Sequence, residues 1–245
     1  MADMTAPRLP TAMRAPEVGP RRGGLPWAAG LLVLFWFAGF MAFIHSPDAQ
    51  VLGATVRIFY MHVSVAWLAG LAFLVNWAGS ILYLVRRDMH IDRWAAASAE
   101  IGFVFTTGVL VTGSIWARVA WNTWWTWDPR LTTALVMWFL YAAYVVLRGG
   151  ITRPETRARV SSIVGIIAFV DVPVVFLSTR WWRSIHPVLG ENGGFPMTSM
   201  MLIAMFAMLA AVSAFYFYIL RIRVRQEEAR DALETMRVGL RSRYE

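Results

Sequence analysis

Six long apolar stretches run along the chain, separated by short segments rich in arginine or tryptophan. A helix needs about 20 mostly apolar residues to cross the hydrocarbon core of a bilayer. The pattern therefore predicts an all-α, polytopic integral membrane protein with six transmembrane helices in residues 27–220. The predicted spans are Trp27 to Ile44, Ile58 to Val85, Trp94 to Ile115, Pro129 to Leu147, Val160 to Leu177 and Met197 to Leu220.

The two ends of the chain differ from this apolar body. Residues 1–26 are rich in proline, arginine and glycine, which predicts a disordered N-terminal segment. A basic leader before an apolar run is also typical of a signal peptide. However, the run from Trp27 to Ile44 is longer than a usual signal core, and no convincing small-x-small cleavage site follows it, so we expect an uncleaved first span. Residues 221–245 alternate positive and negative charges and predict a solvated C-terminal helix.

Composition agrees with a membrane location, since 58% of the 245 residues are hydrophobic and the mean hydropathy is +0.52. All 23 basic residues are arginines, and the net charge is +8. With a cytoplasmic N-terminus, 18 arginines lie in cytoplasmic segments. By the positive-inside rule this predicts cytoplasmic N- and C-termini. The excess charge indicates topology and anionic lipid as a partner, and it does not indicate nucleic acid. The arginines left on the outer side are Arg57, Arg118, Arg130, Arg180 and Arg183.

The segment between spans three and four, WNTWWTWDPRLT, concentrates tryptophan on the predicted outer side. Trp121, Trp124 and Trp125 have i, i+3 and i+4 spacing, so a helical turn here would present one continuous aromatic face. Asp128 and Pro129 suit the N-cap and first position of the next helix.

An interfacial aromatic belt is the simpler explanation for such residues, and it suits Trp27 and Trp94 well. A belt, however, spreads its anchors over several helices. Here five tryptophans fall between Trp116 and Trp127, which indicates a more specific surface.

Four histidines are present, and three of them, His45, His62 and His186, are on the outer side with the tryptophans. We expect His45, at the end of span one, and His90, in an inner loop, to be solvated. His62 lies near the outer end of span two, and His186 lies in the outer loop between spans five and six. A single histidine at this depth is often only an interfacial polar group. Two imidazoles can instead bind iron from both faces of a porphyrin, while aromatic rings pack on its plane and arginines pair with its propionates. The combination points to haem.

The same segment resembles the tryptophan-rich WWD signature of the haem-handling proteins of cytochrome c maturation, and within that family the CcmC branch. The resemblance covers residues 27–220. It departs from the family at Asn122, where glycine is expected, and at Pro129, where alanine is common. The motif residues that occur in order are Trp121, Trp124, Trp125, Trp127, Asp128, Arg130, Leu131 and Thr132.

The resemblance implies non-covalently bound haem b at the periplasmic face of the bacterial inner membrane, with His62 and His186 as the axial iron ligands. It also implies transfer of haem to the periplasmic chaperone CcmE, and partnership with CcmD and with the ATP-hydrolysing release complex of CcmA and CcmB. The haem-binding residues expected beside the histidines are Trp116, Trp121, Trp124, Trp125, Trp127, Asp128 and Arg130.

Independent catalysis is not predicted. The chain has no cysteine, no phosphate-binding glycine loop and no convincing serine and histidine pair. A permease-like subunit that conducts haem or another substrate, with the WWD segment as a docking belt, is the alternative function. The lack of internal repeats and of a convincing polar file through the spans weakens it.

Two carboxylates, Glu100 and Asp171, fall inside predicted spans, where charge is costly. Glu100 is close enough to the inner end of span three to snorkel toward water. Asp171 precedes Val172 and Pro173, and the proline predicts a kink at this point.

Overall fold

The computed structural model describes residues 24–50, 53–186 and 197–244. Within these ranges every element longer than an isolated bridge is helical, and six helical segments are long and apolar enough to cross a membrane, as predicted. The proposed disordered segment lies outside the described residues except for residues 24–26, which form the first turn of a helix. The helices are α1 (Gly24–Phe40), followed by a π-helical turn (Met41–His45), α2 (Val56–Arg86), α3 (Met89–Trp121), α4 (Pro129–Gly150), α5 (Pro154–Phe169), α6 (Asp171–Trp181) and α7 (Ser199–Tyr244).

Helices α5 and α6 together form the fifth span, and the predicted kink lies between them. Helix α5 ends at Phe169 and α6 begins at Asp171. Pro173 has no N–H to donate to the carbonyl of Phe169, so the regular helical ladder cannot continue through this turn.

Helix α7 extends well past the membrane without a break. The sequence predicted a separate tail from residue 221, but the same helix continues to Tyr244. Two ion pairs hold this extension against α3: Arg223 Nε lies 2.7 Å from Glu100 Oε2, and Arg93 Nη2 lies 2.9 Å from Asp231 Oδ2. Glu100 therefore has a partner within the protein.

Small residues allow α2 to pack closely against α3. A Cβ atom on Gly102 would lie 2.5 Å from Phe73 Cε1, and one on Gly79 would lie 2.9 Å from Ala95 Cβ. Larger side chains at these two glycines would force the helices apart. Close backbone approach of this kind is a common basis of helix association in membranes.

Cross-helix contacts define two ends of the bundle. At the first, which we call the tryptophan end, residues 121–128 lie beside residues 182–186. At the second, the arginine end, Arg148 near the end of α4 pairs with Asp92 near the start of α3, and the α7 extension begins. The candidate chemistry predicted from the sequence lies at the tryptophan end.

Candidate functional site

A cavity of about 400 Å³ opens between the helices at the tryptophan end. Its lining includes both His62 and His186, so the structure brings together the two histidines that are 124 positions apart in the sequence. Arg130, Trp116 and Trp125 also line it. The remaining walls are mostly apolar side chains, among them Phe59, Met137, Val172 and Phe176.

His62 is held by α3 in an orientation that frees one ring nitrogen. Its Nδ1 atom lies 2.9 Å from Thr112 Oγ1, and that hydroxyl lies 2.7 Å from the carbonyl oxygen of Gly108. A hydroxyl has one proton, and only the hydroxyl can donate to the carbonyl. Thr112 therefore accepts from Nδ1–H of His62, which leaves the lone pair of Nε2 unused. Gly113 makes room for the ring, since a Cβ there would lie 3.0 Å from His62 Cε1.

His186 is oriented in the same way by a carboxylate. Its Nδ1 lies 3.3 Å from Asp128 Oδ1, and its backbone N–H donates to Ser184 Oγ over 3.0 Å. An ionised carboxylate only accepts, so Nδ1 carries the proton and Nε2 is again free. The ring packs edge-on against Trp121, with the ring centroids 4.9 Å apart.

Asp128 connects two pieces of chain at this end. It caps α4 by accepting from the backbone N–H of Arg130 over 3.0 Å, which confirms the predicted N-cap. It also accepts from Ser184 Oγ over 3.0 Å and from the backbone N–H of Ile185 over 2.9 Å. These bonds fix the segment after α6 to the start of α4 and so place His186.

The protonation states suit ligand binding. Burial alone would raise the pKa of Asp128, but the donated hydrogen bonds outweigh it and the pKa lies below its usual value. Burial, assisted by the charge of Arg130, lowers the pKa of His186 to about 4, although Asp128 opposes this shift. At neutral pH the contact between the two is therefore a hydrogen bond from a neutral imidazole to a carboxylate.

The tryptophans do not form the continuous aromatic face that their spacing suggested. Helix α3 ends at Trp121, and Asn122 adopts a left-handed conformation with φ 57°. Glycine, which the resemblance led us to expect here, adopts this conformation readily, and asparagine tolerates it as well. Residues 123–128 are not helical, so the predicted i, i+3, i+4 face was wrong.

The five tryptophans instead take three different positions. Trp116 and Trp125 line the cavity. Trp121 packs against both Trp116 and His186, with ring centroids 4.7 and 4.9 Å apart respectively. Trp124 and Trp127 do not line the cavity and are 59% and 76% exposed.

Arg130 differs from other arginines at this end. Arg57 pairs with Asp48, and Arg118 donates to the carbonyl of Asn122 over 2.9 Å. Arg130 lines the cavity and forms no ion pair in the described part of the chain, whereas Arg180 and Arg183 do not line the cavity. Arg130 is therefore the arginine in the cavity lining that an anionic group of a bound molecule could contact.

The other two histidines lie away from the cavity lining. His45 is exposed and stacks on Phe40, while His90 lies at the arginine end, 3.3 Å from Glu228. Two positioning residues, Thr112 and Ser184, were not singled out from the sequence. Thr112 was visible as a polar residue inside an apolar span, and Ser184 as a hydroxyl two residues before His186.

Comparison with known proteins identifies the family of the chain. The family described as Heme exporter protein C matches residues 20–239. The chain is 30% identical to Heme exporter protein C of Bradyrhizobium diazoefficiens over 221 residues, which cover 89% of this chain and 84% of that protein. It is 37% identical to the Rhodobacter capsulatus protein of the same name over 161 residues, 65% of this chain and 66% of that protein.

The Escherichia coli K12 protein of that name is 34% identical over 164 residues, 66% of each chain. The six helices thus define a multi-pass membrane protein of a family named for haem export. The chain belongs to the Heme exporter protein C family.

Proposed function

We propose that this chain binds one haem in the cavity at the tryptophan end, with His62 and His186 as the two axial ligands of the iron. The observation that carries this proposal is the shared orientation of the two imidazoles. Both line one cavity, and each has Nδ1 engaged, one by Thr112 and one by Asp128. Metal-binding histidines are usually fixed by such a second hydrogen bond.

The other lining groups suit a porphyrin as well. The volume lies within the range of about 300–1,000 Å³ typical of ligand pockets. Trp116 and Trp125 offer aromatic surface to the ring, and Arg130 offers a guanidinium for a propionate. Since the sequence has no cysteine, the chain cannot form thioether bonds, and we expect haem b held without covalent attachment.

We further propose that the chain presents haem to another protein. In this proposal the tryptophan end faces the periplasm, as the arginine distribution suggests, and haem passes to the chaperone CcmE. CcmD, CcmA and CcmB complete the assembly in the bacterial inner membrane. The exposed rings of Trp124 and Trp127 beside the cavity offer an apolar surface to an incoming partner. The chain's own part is to hold and orient haem, and it includes no separate catalytic step.

The absorbance spectrum of the purified, haem-loaded protein tests the proposal. Two imidazole ligands make the iron six-coordinate and low-spin. We expect His62→Gly and His186→Gly each to lose the low-spin spectrum and added imidazole to restore it, because only the ligand is missing. His45→Gly and His90→Gly are the matched controls and should retain the spectrum without imidazole. A wild-type spectrum from His62→Gly alone would refute the assignment of that ligand.

A further inference from the structure

A carboxyl group lies inside the fifth span beside a residue of the cavity lining, and one of its oxygens has no hydrogen-bond partner among the described residues. Asp171 begins α6, and its Oδ2 atom is buried and accepts no hydrogen bond from the described residues. Its neighbour Val172 lines the cavity, as does Val175 one turn further along α6. An ionisable residue inside a membrane span is a candidate for function, because its charge is costly there.

A second polar group in the same layer also has no partner. Tyr141 is 0% exposed, and its hydroxyl makes no hydrogen bond among the described residues. Its ring stacks on Phe73 with the centroids 3.5 Å apart, and Met137, one turn away on α4, lines the cavity. Tyr141 belongs to the same buried cluster as Val172, the residue that follows Asp171. Buried polar atoms of this kind are usually satisfied by ordered water.

Charged residues of the helices packed against α6 lie at the helix ends. Helix α6 packs against α4 and α5, and its Phe176 also lies close to Gly70 of α2. Arg130 and Arg148 lie at the two ends of α4, Arg57 and Arg86 lie at the two ends of α2, and residues 163–169 of α5 are all apolar or glycine. The titratable side chains in the middle of α4 are Tyr141 and Tyr144, and His62 of α2 lines the cavity. The charge of a molecule bound in the cavity can therefore change the proton affinity of Asp171.

Two opposing effects keep both protonation states of Asp171 accessible. An apolar span disfavours the ionised carboxylate, whereas the first turn of a helix favours negative charge. A third charge nearby can then decide between the two states. Unit charges about 10 Å apart, at an effective dielectric constant of about 20, change a proton affinity about tenfold.

Resting on the haem site proposed above, we propose that Asp171 is a proton-accepting site whose charge follows that of the haem iron. Asp171 takes up one proton from the aqueous phase when iron(III) accepts one electron from a hydroquinone-class donor. The iron becomes iron(II) and the carboxylate becomes the carboxylic acid, so the net charge of this region is unchanged. By linkage, protonation of Asp171 raises the reduction potential of the bound haem.

In this proposal the proton reaches Asp171 from the arginine end, along buried polar groups of the neighbouring helices. Tyr144, one turn from Tyr141 on α4, accepts from Asn76 Nδ2 over 3.3 Å, and the two tyrosine rings lie 6.2 Å apart. Three more buried oxygens nearby have no hydrogen-bond partner among the described residues, and buried polar atoms of this kind are usually satisfied by water. They are Asn76 Oδ1, Ser80 Oγ and Ser161 Oγ. These groups come from three helices, so sequence spacing could not reveal that they lie close together.

The test is a redox titration of the haem-loaded, full-length protein at a series of pH values, with hydroquinone-class mediators. For a tenfold coupling, the wild-type potential should fall by about 59 mV as pH rises through the titration of Asp171. The Asp171→Asn variant should not show this fall in reduction potential. Haem propionates add their own pH dependence, so the difference between wild type and variant is the measured quantity. Glu100→Gln is the matched control, since Glu100 is also intramembrane but is paired with Arg223, and it should behave as wild type.

Infrared difference spectra of the reduced and oxidised protein provide a readout that does not depend on haem transfer. Reduction should produce a carboxylic acid band in wild type and in Glu100→Gln, and none in Asp171→Asn. Equal pH dependence in wild type and Asp171→Asn, with low-spin haem in both, would overturn this proposal alone. Equal pH dependence together with loss of a copurifying membrane protein from Asp171→Asn would also overturn it, and would make Asp171 an interface residue. A wild-type chain that binds no haem would remove the proposed function and this proposal together.

Discussion

The two arginines of α4 lie at opposite ends of the bundle and have opposite surroundings. At the arginine end, Arg148 forms two hydrogen bonds with Asp92, of 2.9 and 2.7 Å, and these side chains are only 12% and 3% exposed. At the tryptophan end, Arg130 lines a cavity and has no ion-pair partner among the described residues. Both arginines belong to α4, one near each end of the helix.

The difference indicates two roles for one residue type. A buried ion pair with good geometry satisfies both partners and leaves neither available to a ligand. A partly buried cation without a counter-ion is less favourable than a paired one, and a bound anion would offset that cost. The pairing of Arg148 stabilises the packing of α3 against α4, whereas Arg130 is positioned for the anion that we propose.

The largest expected effect concerns the side of the membrane on which each end lies. The sequence contains no cysteine, so a single introduced thiol reports its own location. We expect Asp48→Cys, at the tryptophan end, to react with a membrane-impermeant reagent added to the periplasmic side. Gly150→Cys, at the arginine end, should react only after the membrane is permeabilised. The reverse pattern would place the cavity in the cytoplasm and remove the proposed transfer partner.

The two arginines of α4 should separate stability from haem binding. Arg148→Ala leaves Asp92 buried without its partner, so we expect a loss of about 3–5 kcal/mol in the free energy of unfolding. Arg130→Ala should change stability little. Unfolding in detergent, followed by circular dichroism, measures both. Equal losses in the two variants would show that Arg130 is also a structural residue.

Charge at position 130 should control haem retention. We expect Arg130→Glu to weaken haem binding about 10- to 100-fold, the range of a lost charge-assisted hydrogen bond, and Arg130→Lys to weaken it far less. Haem remaining after gel filtration is the measurement, with Arg118→Glu as the control at the same end. Wild-type retention by Arg130→Glu would limit the role of this arginine to folding or partner docking.

A smaller effect should distinguish the tryptophans from one another. Trp125 lines the cavity, so Trp125→Ala should weaken haem binding about 2- to 10-fold, the magnitude of an aromatic contact. Trp127 is exposed, and Trp127→Ala should leave haem binding unchanged. Haem titration followed by absorbance compares the two. Equal weakening would mean that both rings contact haem, which would require residues 123–128 to rearrange on binding.

Sequence reasoning succeeded where a feature depends on neighbouring residues. The six spans follow from apolar length, the cap at Asp128 from the Asp-Pro pair, and the kink near Asp171 from Pro173. The arrangement of the tryptophans was mispredicted for a local reason as well. Helical spacing was assumed through Asn122, whose left-handed conformation ends α3.

Features that depend on contacts between distant segments could be predicted only in part. The resemblance named His62 and His186, but spacing could not show that Thr112 orients one and Asp128 the other. These contacts join residues 50 and 58 positions apart. Nor could the sequence separate Trp125, which lines the cavity, from Trp127, which does not, because that depends on the path of a non-helical segment.

The central claim is that His62 and His186 bind the same iron, and pulsed electron paramagnetic resonance of the ferric protein tests it most directly. His62→Gly would be loaded with haem and restored with imidazole labelled with nitrogen-15. On a single low-spin iron we expect one axial nitrogen-15 ligand from the added imidazole and one unlabelled axial nitrogen ligand from His186. Two labelled ligands, or none, would show that His62 and His186 do not share the iron, and would contradict the account.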